Sequence, residues 1–427
     1  MATLNNFKSY IFTGIKTTCT GCGACSLACT HNALEMQADN EGFVYPVLNT
    51  NNCIGCGLCD RTCPVVNPVS ANKSGYQKCY ISTTSLKEYY KESASIGICT
   101  MLSDYIVKQG GIVYGSYLDE TIWKAYQLGV SDIDGVRKIR NSKYLQSNTK
   151  ESFREARDFL KQGCLVLYIG TPCQIGGLKA FLRKEYDNLY TIDIICHGTF
   201  SPELMKLEVD YWQKKYESQI TNFRFRSKRI YKRINGGMIN FDILTKGGNK
   251  HIERHASASP SYRCYAYSPD GNSYNLRLSC YSCPFRAKER YADITVGDPW
   301  GVLNKDIVNK HLHSNNIIRS IYSENTEKGS MLISHIQSKL ESQEYSWDVL
   351  FCQSAVQPAR RIIPERREEF FKRVKLEDYG LVVEDITGKS LNKAHQKFVL
   401  NYYLEYFKSL IRPLKDILTS YSSRSHV

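Results

Sequence analysis

Eight cysteines between positions 19 and 63 constrain this chain more than any other feature. Cys19, Cys22, Cys25 and Cys29 are spaced C-x2-C-x2-C-x3-C, and Cys53, Cys56, Cys59 and Cys63 repeat that spacing just before Pro64. Three cysteines two residues apart wrap a tight loop around one face of a cubane, and the fourth begins a helix that leads to the other cluster. The expected ligand sets are therefore interleaved: Cys19, Cys22, Cys25 and Cys63 for one 4Fe-4S cluster, and Cys53, Cys56, Cys59 and Cys29 for a second. Gly21, Gly23, Gly55 and Gly57 suit backbone that must turn closely and point N–H groups at sulfur. Thr30 stands where such a run usually has proline, which weakens a helix stop without removing a ligand. Paired zinc sites or a reduced-thiol scaffold are the alternatives, but zinc motifs close four ligands per site and do not interleave two quartets.

A two-cluster, ferredoxin-like module fills only residues 1–70 of the 427, and a chain of this length usually makes two or three domains. Residues 71–163, 164–345 and 346–427 are expected to form two parts of a larger body and a tail. Seventeen cysteines, with no apolar leader after Met1, point to a reducing, cytoplasmic compartment. No apolar run is long enough to cross a bilayer. The net charge of +14 is uneven, because residues 1–70 carry Lys8, Lys16 and Arg61 against Glu35, Asp39, Glu41 and Asp60. A basic body suggests phosphate-bearing cofactors or an acidic carrier protein; nucleic acid is the less specific possibility and is not expected.

From Val65 to Gln77, with Pro68, Asn72, Ser74 and Gly75, the chain reads as a linker. Ser93, Ser95 and Gly97 precede a helical pattern (Cys99, Leu102, Ile106) ending at Gly110-Gly111, followed by a strand from Ile112 to Tyr114. That helix start is either an anion site or an ordinary serine cap. Residues 151–163 form an amphipathic helix pattern (Phe153, Ala156, Phe159, Leu160). A buried strand, Leu165 to Ile169, then meets the turn Gly170-Thr171-Pro172-Cys173, a helix to about Lys184, and a second strand, Tyr190 to Cys196. Strand, helix and strand in this order make a right-handed parallel unit, which puts Cys173 and Cys196 on one rim if the two strands are neighbours. Cys280 and Cys283 add a C-x2-C, a spacing that zinc sites and redox dithiols also use, and Ile294 to Val296 runs into Gly297-Asp298-Pro299-Trp300-Gly301. Together these four thiolates would hold a third 4Fe-4S cluster, with Cys264 in reserve; Cys79, Cys99, Cys164 and Cys352 read as small buried hydrophobes. Arg224, Arg226, Lys228, Arg229, Lys232 and Arg233 alternate with Phe223, Phe225 and Tyr231, as either a solvated edge strand or an anion-binding face. The tail from Ser390 is helical and basic (Lys393, Lys397, Lys408, Arg412, Lys415), with Phe398, Tyr402, Leu404, Tyr406 and Leu410 available for docking on the body, a partner or a membrane surface.

The stretches Ser142-Lys143-Tyr144-Leu145-Gln146-Ser147, Gly170-Thr171-Pro172-Cys173-Gln174, Cys196-His197-Gly198, Cys280-x-x-Cys283-Pro284 and Asp293-Ile294-Thr295-Val296-Gly297-Asp298 resemble the family of beta subunits of coenzyme F420 hydrogenases and dehydrogenases. Glu41-Gly42-Phe43-x-Tyr45-Pro46 is similar to members with a ferredoxin module fused in front. The resemblance covers roughly residues 16–345. The implied fold is an α+β two-cluster module, an α/β domain with a mixed, partly parallel sheet, and a helical C-terminal tail. It implies an FAD site near Ser142, Lys143, Tyr144, Gly170, Thr171 and Asp298, and it favours the third cluster. Ser95-Ile96-Gly97 stands where the family has serine and two glycines, so a β-branched side chain threatens close backbone approach to a flavin. No G-x-G-x-x-G follows a strand, so spacing alone shows no dinucleotide site.

Clusters move one electron at a time, most organic substrates take two, and a flavin converts between them. The expected function is an iron–sulfur flavoprotein oxidoreductase that relays electrons from a carrier such as ferredoxin, through the clusters and FAD, to a two-electron acceptor. Lys143 would stabilise negative charge on flavin or substrate, or contact phosphate; His197 would supply a proton near neutral pH, or hold a turn by hydrogen bonding. The alternative is an electron-transfer subunit that feeds a catalytic partner.

Overall fold

The computed structural model describes residues 7–72, 76–228, 237–266, 268–300, 302, 318–353, 356–357 and 361–404. The expectations for Ser74, Gly75, Arg229, Tyr231, Lys232, Arg233, Gly301, Tyr406, Lys408, Leu410, Arg412 and Lys415 lie outside the described residues.

Between the cysteine quartets runs a hairpin, β1 (Leu34–Ala38) and β2 (Val44–Leu48), paired antiparallel from Leu34↔Leu48 to Ala38↔Val44. The body is organised on a nine-stranded mixed sheet made of β3 (Lys78–Thr83), β4 (Ile112–Asp119), β5 (Lys124–Val130), β6 (Ser147–Asn148), β7 (Val166–Gly170), β8 (Leu189–Ile194) and, later in the chain, β12 (Ile294–Gly297), β13 (Ser320–Glu324) and β14 (Glu341–Tyr345). A separate antiparallel sheet, β9 (Ile220–Arg224), β10 (Met238–Thr245) and β11 (Gly248–His255), falls between them. The large sheet has the order β14-β3-β13-β12-β8-β7-β4-β5-β6. Its centre, β12-β8-β7-β4, is parallel, and antiparallel β13 and β5 flank it. Helices pack on the faces of such a parallel centre, so its strands are apolar on both sides; Val166, Leu167 and Tyr168 are fully buried.

The strands on either side of Cys173 are sheet neighbours, with Val166 opposite Leu189 and Gly170 opposite Asp193. The amphipathic pattern of 151–163 becomes the helix Ser152–Lys161, which buries Phe153, Ala156 and Leu160. The helix expected after Gly97 spans Ile98–Lys108. The strand expected to end at Tyr114 continues to Asp119, because antiparallel pairing with β5 carries it on past the end of its pairing with β7.

The largest core joins the module to the body. Phe43 and Tyr45 pack in one cluster with Phe200, Trp212, Phe225 and Phe241, and with Phe370, Phe371, Tyr379 and Val383 from the helices Arg367–Arg373 and Tyr379–Thr387. The early part of 346–427 is thus built into the centre of the protein. Arg367 fixes that union: its guanidinium grips both oxygens of Glu41 at 2.7 and 2.6 Å and donates to the Leu276 carbonyl at 2.8 Å.

Candidate functional site

Two open hollows lie in the module. The cysteines lining the first are Cys19, Cys22, Cys25 and Cys63; those lining the second are Cys29, Cys53, Cys56 and Cys59. The interleaving arises because the short helices Ala24–Ala28 and Leu58–Arg61 each carry the chain from one cavity to the other. Gly21, at φ 70°, makes the inner turn possible, since a Cβ there would also lie 2.4 Å from the Gln146 amide nitrogen. The donor set fits iron. Burial, then nearby thiols, pushes Cys22 up to about 12 and Cys25 well above the ordinary thiol range. Thiols so disposed become thiolates only against a strong local positive charge, which a cluster's iron supplies.

A second group of thiols gathers at the carboxyl edge of the large sheet. Cys173 is in the first turn of the helix Pro172–Leu182, whose start is fixed by a capping box between Thr171 and Gln174. Cys196 lies two residues beyond β8. The loop after it pairs with the chain at Tyr144 and Gln146 and accepts the Arg277 amide at the Thr199 carbonyl, which brings in Cys280 and Cys283. Burial raises all four thiols, with Cys173 at about 11 and Cys283 at about 12; Cys280, Cys173 and Cys283 each raise Cys196 further. Cys264 is elsewhere, buried among core aromatics beside Arg263, which removes it as a reserve ligand. Cys79 is buried as expected, whereas Cys99, Cys164 and Cys352 are only half-buried.

This second group touches the first. Cys22 feels the Cys173 thiol as well as Cys63 and Cys19. A Cβ on Gly177 would lie 2.9 Å from the Cys22 Cβ and 3.0 Å from its Sγ, so only glycine lets the helix Pro172–Leu182 come this close to the module.

Beyond the thiols lies a buried cationic pocket. Lys143 donates to the carbonyls of Arg140 (2.6 Å) and Asn141 (3.2 Å), and burial, then Arg224, pushes its amine down to about 7. Arg226 donates to Asp298 at 2.6 Å and to the Tyr144 hydroxyl at 3.2 Å, while its buried Nε and Nη2 have no hydrogen-bond partner among the described residues. Lys228 donates to the carbonyls of Tyr90, Ser93 and Ser95 at 3.0, 3.1 and 2.6 Å, tying the pocket to the loop before the helix Ile98–Lys108. Arg226 and Lys228 are only 6% and 4% exposed, so the solvated reading fails for these two; β9 is itself an edge strand of the three-stranded sheet and ends at Arg224, after which the chain turns inward. Ile96 also resolves differently from expectation, since its side chain is fully buried in the core with Ile98 and Met101.

Lys143, Tyr144 and Asp298 thus come together around Arg226, with Ser142 their neighbour in the chain. Gly170 and Thr171 stay with the second thiol group, where the Thr171 hydroxyl lies 3.2 Å from Cys173 Sγ. The rings of Tyr144 and Tyr265 (5.4 Å), then Tyr265 and His197 (5.0 Å), link the two places. His197 is fully engaged: Arg361 donates to Nδ1 at 3.1 Å, so Nε2 carries the proton and faces Ser273 Oγ at 3.2 Å. Burial, then Arg361, pushes it down to about 3, so an imidazolium proton source near neutral pH gives way to a structural hydrogen bond. Sequence reading missed Arg277, Arg361 and Gly177; only the position of Arg277, three residues before Cys280, hinted at its place.

Residues 163–344 match the family described by the C terminus of the coenzyme F420 hydrogenase/dehydrogenase beta subunit, and residues 18–67 match the 4Fe-4S dicluster domain. The chain thus carries a C-terminal domain of this F420 hydrogenase/dehydrogenase family, with a 4Fe-4S dicluster domain in front. Among curated proteins the chain is similar to the coenzyme F420-dependent sulfite reductase of Methanocaldococcus jannaschii, at 26% identity over 42% of this chain and 28% of that one. It is also similar to the F subunit of the F(420)H(2) dehydrogenase of Methanosarcina mazei, at 22% identity over 45% of this chain and 59% of that one. The module alone is similar to the VorC subunit of the ketoisovalerate oxidoreductase of Methanothermobacter marburgensis, at 32% identity over 13% of this chain and 71% of that one. The chain therefore spans under two thirds of the first two relatives. Among solved structures, the F420-reducing [NiFe] hydrogenase complex of Methanosarcina barkeri aligns over 64% of this chain and 85% of that one, at 16% identity and a TM-score of 0.37. Among the described residues no helix is long and apolar enough to cross a membrane.

Proposed function

We propose that this protein is an iron–sulfur flavoprotein that relays electrons between a one-electron carrier, such as a ferredoxin, and a two-electron acceptor or donor. The observation that supports the reading is the close approach of Cys22 to the helix of Cys173, which brings one cysteine group of the module beside the group at the sheet edge and leaves Cys56 of the other exposed. Cys19, Cys22, Cys25 and Cys63 would hold the inner cluster, Cys29, Cys53, Cys56 and Cys59 the outer one, and Cys173, Cys196, Cys280 and Cys283 a third. When bound, clusters carry single electrons and a flavin converts them into pairs. The residues of the cationic pocket fit the phosphates of FAD: among the described residues Arg226 has two unpartnered buried donors, and Lys143 and Lys228 add charge beside a helix start. Lys143 would also counter negative charge that develops on the acceptor. The relatives' names suggest F420 as one such acceptor.

Iron and flavin per chain after anaerobic purification test the reading. About twelve irons and one flavin are expected, at four irons per cluster. About eight irons and no flavin would favour a second reading, an electron-transfer subunit serving a catalytic partner, which the "subunit" in two relatives' names supports.

A further inference from the structure

Arg277 is a buried cation whose partners include no carboxylate. It is 1% exposed, and its Nε donates to the Cys19 carbonyl at 2.8 Å. Its Nη1 donates to the Val44 carbonyl at 3.0 Å and the Gln146 amide oxygen at 3.2 Å. Its Nη2 reaches Cys19 Sγ at 3.5 Å, and the guanidinium lies 3.8 Å from the centre of the Tyr45 ring. Among the described residues no Asp or Glu forms an ion pair with it, although a buried guanidinium is costly unless it is paired. On its far side lies the sheet-edge group: the Arg277 carbonyl accepts the Cys280 amide at 2.9 Å, and the Arg277 amide donates to the carbonyl of Thr199, three residues after Cys196, at 3.1 Å. The charge therefore sits between the inner quartet and the sheet-edge quartet, and the thiolates of bound clusters would be the negative groups that balance it.

We propose that Arg277 sets the order of reduction in the module, making the inner quartet of Cys19, Cys22, Cys25 and Cys63 the place where the first electron from the carrier rests. The inference rests on the ligand sets given under Proposed function. Burial by itself gives the opposite order, since adding negative charge to a site away from water is unfavourable, and the outer quartet includes exposed Cys56. A fixed cation and an N–H···S bond at the inner site act against burial, because hydrogen bonds to cluster sulfur and net local charge set a cluster's potential. Arg277 is a positioning residue for charge and takes no part in bond making. Holding the first electron on the inner site keeps it beside Cys173 and away from solvent.

The test is a potentiometric titration followed by low-temperature EPR, with and without a water-soluble paramagnetic relaxer that broadens signals near the surface. In the unaltered protein the first signal to appear is expected to be the one insensitive to the relaxer. In Arg277→Gln, which keeps hydrogen bonding but loses charge, the inner cluster is expected to become at least about tenfold harder to reduce, about 59 mV for one electron, with the outer cluster unmoved. Arg277→Lys retains the charge and is expected to stay near the unaltered value. A relaxer-sensitive first signal in the unaltered protein overturns the proposal even if Arg277→Gln cannot be assembled. So does an unshifted inner midpoint in a fully iron-loaded Arg277→Gln. Absence of two module signals in the unaltered protein would sink the ligand sets themselves, and the proposal with them.

Discussion

The module's two quartets and the quartet at the sheet edge are built from the same atoms by different means. Within the module the spacing of cysteines is local, and two short helices carry the fourth cysteine of each run to the other hollow. At the sheet edge the thiols come from a helix start, a strand end and a distant C-x2-C, so their meeting depends on the pairing of β7 with β8 and on the loop that Phe200 and Arg277 pin to the chain. Local spacing makes a site that folding can assemble early and that sequence can reveal. Tertiary assembly makes a site that any change in packing can dismantle, but that can be set directly against a second site.

The strongest challenge to this contrast is Cys283→Ser. About four of twelve irons should be lost, with both module signals in EPR retained and flavin reduction impaired; unchanged iron would remove Cys283 from the ligands. Next in size is Arg367→Ala. It leaves Glu41 without its buried partner and should destabilise the protein by about 3–5 kcal/mol, read from the denaturant midpoint. If the loss stays confined to the module in hydrogen exchange, the two regions fold more independently than their shared core implies.

Gly177→Ala probes the contact between the regions. The added methyl would lie within 3.0 Å of Cys22, so a destabilisation of about 1–3 kcal/mol and slower reduction of the sheet-edge quartet are expected, measured by thermal unfolding and stopped flow. Wild-type transfer rates would show that the close approach is only packing.

A smaller effect concerns the cationic pocket. Lys143 is pushed down to about 7 in the folded protein, whereas its ordinary value is near 10.5. Because the folded value is depressed, the cost of charging this buried amine is absent at high pH and grows as pH falls through that window toward about 7. A bound anion offsets that cost. Affinity for pyrophosphate-bearing ligands should therefore be highest below about pH 7 and decline above it, and Lys143→Met should flatten the profile in calorimetric titrations. An unchanged slope would place the ligand's charge elsewhere.

How much of this was legible can be judged residue by residue. The interleaved module quartets were readable because ligand spacing is a property of a short loop. The convergence of Cys173 and Cys196 followed from a βαβ handedness that few chains escape. By contrast, alternation along Arg224–Lys228 suggested a wet edge, since charge pattern reports burial only when the chain stays extended; here it turns inward after β9. His197 looked titratable because sequence does not show that Arg361, far along the chain, occupies Nδ1.

Amino-acid order was enough for the module, its ligand spacing, the parallel unit and the thiols at its rim, for these depend on short-range geometry and hydrophobic period. The closed fold was needed to say which charges are buried and what they face: Arg277 against Cys19, Arg226 with two free donors, Arg367 on Glu41. The electrostatics of a buried charge depends on neighbours within a few ångströms, and those neighbours are drawn from distant parts of the chain only when the core closes.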